Sequence, residues 1–153
     1  TDGSQQADTH ITVRHAKPNC NSFQLYKGIL GGSSREVFNG RIIVDEDAQK
    51  TDAKQSNRNL VLSDDAIVNS NPQLEIFADD VRCTHGSTIG RLDEEAIFYR
   101  RSRGIGHDED RSLLTLAFAG EIIERIPIPD LRDRLESDIS GRLALIERRE
   151  EHR

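Results

Sequence analysis

Two different spacings of apolar residues divide the chain. Up to Ile89, short apolar runs alternate with polar residues, a period of about two that is typical of strands. From Ile97 onward, apolar residues follow helical spacing, and the change falls at Gly90-Arg91-Leu92. We therefore expect a protein that is mainly β with C-terminal α: a β region at residues 1–91 and a small helical subdomain at residues 92–153.

Turn signals and strand-like runs alternate within the β region. The runs His10–His15, Ser22–Leu30 and Arg41–Val44 have strand character. Asn39-Gly40 favours positive φ and lies between two such runs. Taken locally, it predicts a hairpin.

A recurring acidic pattern favours a different arrangement. Three segments share the order apolar, any residue, acidic, Asp, small apolar, and they begin at Val44, Leu62 and Phe77, with spacings of 18 and 15. Such a repeat suggests the successive coils of a solenoid, in which each strand stacks on the next and an acidic corner marks each turn. Ordinary Asp-rich turn chemistry explains the same pattern without a repeat.

Three helices are predicted after the β region. In the first, Asp93–Glu95 place carboxylates at the N-terminal end and arginines lie in the last turn, with Gly104 as the residue that ends it. The second begins at Asp108-Glu109-Asp110, and its predicted apolar stripe comprises Leu114, Ala117, Phe118 and Ile122. Pro127 and Pro129 interrupt the helical pattern, and the third helix begins near Asp130.

Composition restricts the partners. The chain has 153 residues, 35% of them hydrophobic, enough for one domain with a modest core. Its net charge of -6 comes from interspersed acidic and basic residues, which form no basic stripe for nucleic acid. No apolar run approaches the ~18 residues of a membrane span, and Thr1–Thr9 lacks the features of a signal peptide. We expect neither nucleic acid nor a membrane as partner.

The two cysteines, Cys20 and Cys83, are too few for a disulfide framework and fit a reducing compartment. The sequence leaves open whether a single disulfide bridge joins them. His15 and Cys20 occur together in the string HAKPNC, but a lone Cys beside a turn is most often structural.

Cys83 and His85 are the strongest candidates for chemistry. Two residues apart in a strand, their side chains leave the same face about 6–7 Å apart. Thiolate and imidazole both bind iron and related metals, so the pair could hold a cluster in transit. Alternatively, Cys83 is a small core residue and His85 a hydrogen-bonded surface residue.

The acidic pairs Asp64-Asp65 and Asp79-Asp80 suggest a second hypothesis, a β-solenoid hydrolase or lyase acting on polysaccharides with carboxylates across a groove. Adjacent strand residues point in opposite directions, although stacked coils could align Asp65 with Asp80. The chain has no Trp for a sugar platform. A third hypothesis is a purely architectural, self-associating β-solenoid.

Several strings resemble the SufB/SufD family of iron-sulfur cluster assembly proteins, and its SufD branch in particular. They include QLEIFADDVRCTHGSTIGRLDEEAIFYRRSRGI, DAQKTDAKQSNRNLVLS and FNGRI, and the resemblance covers about His10 to Ile105. HGST at His85 favours SufD over SufB. Because the family core is a right-handed parallel β-helix, the resemblance implies this solenoid, represented by its C-terminal part, over residues 1–91, with more chain upstream.

The resemblance also implies a function. It implies a non-catalytic scaffold subunit that binds a SufB-like scaffold and a SufC-like ABC ATPase. Whether the chain also forms a homodimer is left open. No cofactor would be held stably, although a transient iron-sulfur cluster is expected in the complex. His85 matches the family histidine thought to act at the junction with SufB, with Cys83 beside it. The expected location is the cytoplasm, or the plastid in a photosynthetic eukaryote.

A partner site is implied at LDEEAIFYRRSRGI, which resembles the part of SufD associated with SufC binding. The candidates are Asp93, Glu94, Phe98, Tyr99, Arg101 and Arg103. Helical spacing predicts a packing stripe of Leu92, Ala96 and Tyr99. It puts Phe98 and Arg101 on a different face, where an exposed aromatic beside arginines could anchor an interface. A single exposed Phe is also common on ordinary surfaces.

Overall fold

The computed structural model describes residues 1–103 and 106–150, without the side chains of residues 94, 96, 107, 108 and 145–150. In these residues six strands precede three helices. The strands are β1 (Gln6–His15), β2 (Asn21–Leu30), β3 (Arg35–Val44), β4 (Asp52–Val61), β5 (Ile67–Ile76) and β6 (Arg82–Gly90). The helices are α1 (Glu94–Arg101), α2 (His107–Ile123) and α3 (Pro129–Glu150).

The strands form two three-stranded sheets, an odd sheet in the order β1-β3-β5 and an even sheet in the order β2-β4-β6. All four strand pairs are parallel. Paired residues lie about 30 positions apart in sequence, as with Asn21 and Asp52 or Asp52 and Arg82. The expected parallel pairing is therefore confirmed, and so is the order of strands before helices.

The predicted right-handed parallel β-helix is wrong. Two separate three-stranded parallel sheets and three helices make a mixed α/β architecture. The prediction assumed that each strand stacks on the next, whereas consecutive strands lie in different sheets and each pairs with the second strand along. The acidic corners after Val44 and Ile76 follow odd-sheet strands, while the corner after Val61 follows an even-sheet strand. They are therefore not one series of equivalent turns.

The hairpin at Asn39-Gly40 is also wrong, because both residues lie in the middle of β3. The glycine provides space instead of a turn. A Cβ at Gly40 would lie 2.6 Å from Oε1 of Gln55, on the opposite sheet, and 2.7 Å from the Phe38 ring. Gly40 therefore makes room for a buried amide.

The two sheets face each other across a core of mixed polarity. At one end, Ile42 and Val44 pack with Ala48, Ala53 and Ala78. Further along, the core becomes polar, and the Phe38 and Tyr26 rings, 4.9 Å apart, border a group of buried amides. Those amides belong to Gln55, Asn57 and Asn59 of β4. Only part of the interior is therefore held by apolar packing.

The helices dock on the strands through polar and apolar contacts. Lys27 of β2 donates to the Phe118 carbonyl of α2 at 2.7 Å, and Arg111 donates to the Leu62 carbonyl at 3.0 Å. The buried residues of α2 include Thr115, Ala119 and Ile123. The predicted stripe at Leu114, Ala117, Phe118 and Ile122 is thus displaced by one position, and Ala117 is exposed.

The boundary between α2 and α3 agrees with the sequence prediction. α2 ends at Ile123 and α3 begins at Pro129, in agreement with the expected interruption by proline, which is well suited to the first helical position. The predicted end of the first helix at Gly104 lies outside the described residues. No helix within the described ranges is both long and apolar enough to cross a bilayer. The division into domains at residue 91 stays a prediction.

Candidate functional site

Cys83 and His85 lie on the inward face of the edge strand β6. Cys83 is in register with Ala53 of β4, and His85 is in register with Gln55. Both partners are buried between the sheets. Because side chains alternate along a strand, Cys83 and His85 share the face of these two residues, as the sequence predicted.

The Cys83 side chain is half-buried and packs against the apolar end of the core. Burial raises the pKa of its thiol, a hydrogen bond from the Ala53 backbone lowers that pKa, and the Asp52 charge raises it. The net shift is upward, so the protonated thiol is favoured. To bind a metal, Cys83 would therefore have to release its thiol proton to water or another base, because the thiolate is the ligand form.

His85 is exposed, unlike Cys83. No strand beyond β6 covers it in the described part of the chain. Its position leaves the imidazole accessible to a group arriving at the sheet edge. Imidazole nitrogen is a ligand for iron, so the chemistry fits the candidate role.

By itself, this pair could supply only part of a ligand set. Within residues 1–103 and 106–150, no three His, Cys, Asp or Glu side chains converge as a metal site. Iron-sulfur clusters commonly take four protein ligands. Cys83 and His85 could contribute two, and the others would have to come from outside the described residues.

Two other histidines, His10 and His15, make local contacts. His15 is buried, with Nε2 2.9 Å from the Ser22 hydroxyl. His10 pairs with Asp8 on the surface at 2.9 Å. Cys20 and Cys83 are free thiols, so the bridge between them is absent. The side chain of His107 and all of His152 lie outside the described residues.

The acidic pairs do not form a catalytic groove. Asp64-Asp65 lie between β4 and β5, whereas Asp79-Asp80 lie between β5 and β6. The pairs therefore flank opposite ends of β5, which at about 3.3 Å per residue are roughly 30 Å apart. The predicted alignment of Asp65 with Asp80 is wrong, and no observation favours the polysaccharide hypothesis.

α1 presents an aromatic and basic surface. Phe98 is 72% exposed and Tyr99 58%, while the neighbouring Ile97 is only 1% exposed. Tyr99 therefore does not pack inward with Leu92, contrary to the predicted stripe. The exposure of Phe98 and Arg101 agrees with their assignment to another face.

Local contacts hold several side chains of this α1 surface in place. Arg103 stacks over the Tyr99 ring at 4.5 Å. Asp93 accepts a hydrogen bond from the Glu95 N–H at 3.0 Å, a capping contact. The side chain of Glu94 is outside the described set. The partner role of all six candidates stays a prediction.

Sequence reasoning missed the buried amides of β4. Gln55, Asn57 and Asn59 alternate with Lys54, Ser56 and Arg58. Alternation alone cannot show which of two polar sets faces inward. The flanking Ala53 and Val61 share the phase of the amides and were the available signal.

Comparison with known proteins gives the family. The SufBD core domain of SUF system FeS cluster assembly matches residues 1–118. The iron-sulfur cluster assembly protein SufD of Escherichia coli is 44% identical over 140 residues, which cover 92% of this chain and 33% of that protein. The iron-sulfur cluster assembly SufBD family protein slr0076 of Synechocystis is 45% identical over 140 residues, covering 92% of this chain and 31% of its own length.

A plant relative extends the comparison. Protein ABCI7, chloroplastic, of Arabidopsis thaliana is 39% identical over 140 residues, covering 91% of this chain and 30% of its own. The chain thus spans about a third of the length of these relatives. The resemblance found in the sequence is confirmed: the chain belongs to the SufBD family of iron-sulfur cluster assembly proteins and is a homologue of SufD.

Proposed function

We propose that the chain is a scaffold subunit of the Suf iron-sulfur assembly complex, without turnover of its own, that works with a SufB-like scaffold and a SufC-like ATPase. Its family membership and homology to SufD support this proposal. The single structural observation that carries it is the incomplete ligand pair on an uncovered edge strand. A partner that covers β6 would complete the ligand set.

The cluster is cargo in this proposal. His85 offers an imidazole nitrogen at the surface, while Cys83 offers a thiol deeper in the core. Metal binding at Cys83 requires loss of the thiol proton, so the fully assembled ligand set would form only when a metal arrives. A site that is complete only at a subunit junction suits transfer better than storage.

The ATPase would bind at α1. Phe98 and Arg101 are exposed there, and Ile97 anchors the other face of the helix. Only residues 91–93 separate α1 from β6. Arg91 in this connection pairs with Asp64, beside the end of β4. Movement of α1 on ATP binding would therefore reach the strand that carries His85 through a short and tethered connection.

The compartment would be the bacterial cytosol or a plastid. Two free cysteines fit either reducing environment. A bacterial and a chloroplastic relative support the two alternatives.

A pull-down with SufC tests the partner assignment. We expect the double variant Phe98→Ala and Arg101→Ala to bind SufC at least tenfold more weakly than the parent, because truncating an interface anchor commonly costs about 2 kcal/mol or more. Phe77→Ala, which removes a similarly exposed phenyl ring from the end of β5, serves as the matched control and should bind normally. Circular dichroism confirms folding of each variant. Equal SufC binding by the parent and the double variant would place the contact elsewhere.

A further inference from the structure

Three long polar side chains occupy one row across the even sheet. Gln24 of β2 is in register with Gln55 of β4, which is in register with His85 of β6. Neighbouring strands of a sheet lie about 4.8 Å apart, so residues in register are direct lateral neighbours. The candidate ligand His85 is thus the exposed end of a row in which Gln55 is buried and Gln24 is partly buried.

Gln55 is held in one place. It is 2% exposed, and its Nε2 donates to Oε1 of Gln24 at 3.0 Å. The amide fits over Gly40, where any Cβ would lie within 2.7 Å of both of its polar atoms. The donor end of the amide is therefore bound and its position is set from two sides.

The acceptor end of the same amide is open. Oε1 of Gln55 is buried and has no hydrogen-bond partner. A buried carbonyl oxygen without a partner is unfavourable, because it has lost its water and gained nothing in exchange. Nε2 of Gln24 is also buried without a partner, but Gln24 faces the Gln55 amide with its Oε1. On the β6 side of the row, the group in register with Gln55 that can donate is the ring of His85.

We propose that Gln55 is a positioning residue for His85. When the imidazole turns toward the interior, Oε1 of Gln55 accepts a hydrogen bond from one ring N–H. That bond fixes the tautomer and leaves the other ring nitrogen unprotonated and directed to the sheet edge, as a metal ligand must be. Gln24 and Gly40 hold Gln55, and Gln55 holds His85.

Other inward residues of β6 are worse placed for this bond. Cys83 is in register with Ala53, which has no side-chain acceptor, and Ser87 is in register with Asn57. Thr84 and Gly86 belong to the outward face. Among β6 residues, His85 is the one in register with Gln55, whose Oε1 has no partner.

The first test uses 15N NMR of the histidine rings in the full chain, with the His85 signals assigned from their loss in His85→Gln. We expect the His85 ring to show one dominant tautomer in the parent and the mixture of tautomers of a free imidazole in Gln55→Met. Gln55→Glu keeps an acceptor and should restore the single dominant tautomer. Lys54→Gln, on the outward face of the same strand, should show the same His85 tautomer as the parent. If Gln55→Met does not fold, Gly40→Ala replaces it, because the added methyl displaces the amide. A free-imidazole pattern in the parent, or no change in the variant, overturns the inference.

The consequence for metal binding rests on the proposed function and has a separate readout. In the anaerobic complex with its partners, Gln55→Met should lower iron and sulfide content about 10- to 100-fold at limiting iron, as loss of a residue that orients a ligand does, and Gln55→Glu should recover it. If His85→Ala leaves cluster content unchanged, the proposed function fails and the NMR result stands. If His85→Ala lowers the cluster content but the Gln55 variants leave the His85 tautomer unchanged, only the positioning role fails.

Discussion

At the scale of single residues, burial separates the two candidate ligands. His85 is exposed at the edge of the even sheet, whereas Cys83 packs against the apolar end of the core. The raised pKa of the Cys83 thiol means that its proton is retained at a pH where a free thiol begins to ionise. In the proposed function, the imidazole would therefore be the first contact of the cluster and the thiol the later ligand.

Alkylation tests the state of Cys83. Because thiolate is the reactive form, we expect the midpoint of the pH profile for iodoacetamide modification to be higher in the folded protein than in denatured protein. Mass spectrometry of the peptide that contains Cys83 measures it, and the midpoint is used because burial also slows the absolute rate. A folded midpoint at or below the denatured one would contradict the upward shift.

At the scale of elements, α2 is held on the even sheet by a polar clamp. The Lys27 side chain is only 5% exposed and contacts Oε2 of Glu121 at 2.5 Å. Its ammonium also lies 4.3 Å from the centre of the Phe118 ring. Arg58 of β4 reaches the same carboxylate at 3.1 Å. The carboxylate thus joins one helix to two neighbouring strands.

The clamp should depend on pH through Glu121. The hydrogen bond from Lys27 is the largest cause of the lowered pKa of Glu121. Desolvation opposes it, and the charges of Lys27, Arg58 and Arg125 lower the pKa further. Its contribution is then present above the unfolded pKa of about 4.3 and is lost as pH falls through the lower folded value. Glu121→Gln should have a lower Tm than the parent at pH 7, and the difference should shrink toward pH 3.

Thermal melts followed by circular dichroism measure this difference. Glu124→Gln, which changes an exposed residue immediately after the same helix, is the matched control and should have the Tm of the parent at every pH. A Tm difference for Glu121→Gln that persists unchanged at pH 3 would show that packing, and not charge, holds α2.

α1 offers a second test at this scale, since adjacent residues have opposite environments. Ile97 is fully buried, so Ile97→Ala should lower the free energy of unfolding by about 2–5 kcal/mol. Phe98→Ala, at an exposed position, should change it by about 0.5 kcal/mol or less. Urea denaturation measures both. Similar losses in the two variants would mean that α1 has a different inward face.

At the scale of the whole molecule, the sequence predicted the order of strands and helices better than their arrangement. Period-two and helical spacing are local properties, so the change near Gly90 was readable. Pairing of β1 with β3 depends on residues 29 positions apart, such as Gln6 with Arg35, and no local pattern shows it. The hairpin predicted at Asn39-Gly40 was wrong for the same reason, because Gly40 is required to make space for Gln55 on the other sheet.

The candidate site was predictable in part. The shared face of Cys83 and His85 follows from strand geometry alone, and the structure bears it out. The row that joins His85 to Gln55 and Gln24 could not be predicted, since it needs the register of three strands. Nor does spacing give the difference in burial between Cys83 and His85.

Cluster content of the assembled complex tests the central claim most directly. The chain is co-expressed anaerobically with SufB and SufC, and iron and sulfide per complex are measured for the parent, for His85→Ala, and for Thr84→Ala as the neighbouring control on the opposite face. We predict a loss of both elements of about tenfold or more in His85→Ala alone, at least as large as that expected for Gln55→Met. The Tm should stay within a few degrees of the parent, because an exposed side chain contributes little to stability. Parental iron and sulfide in a folded His85→Ala complex would contradict the account.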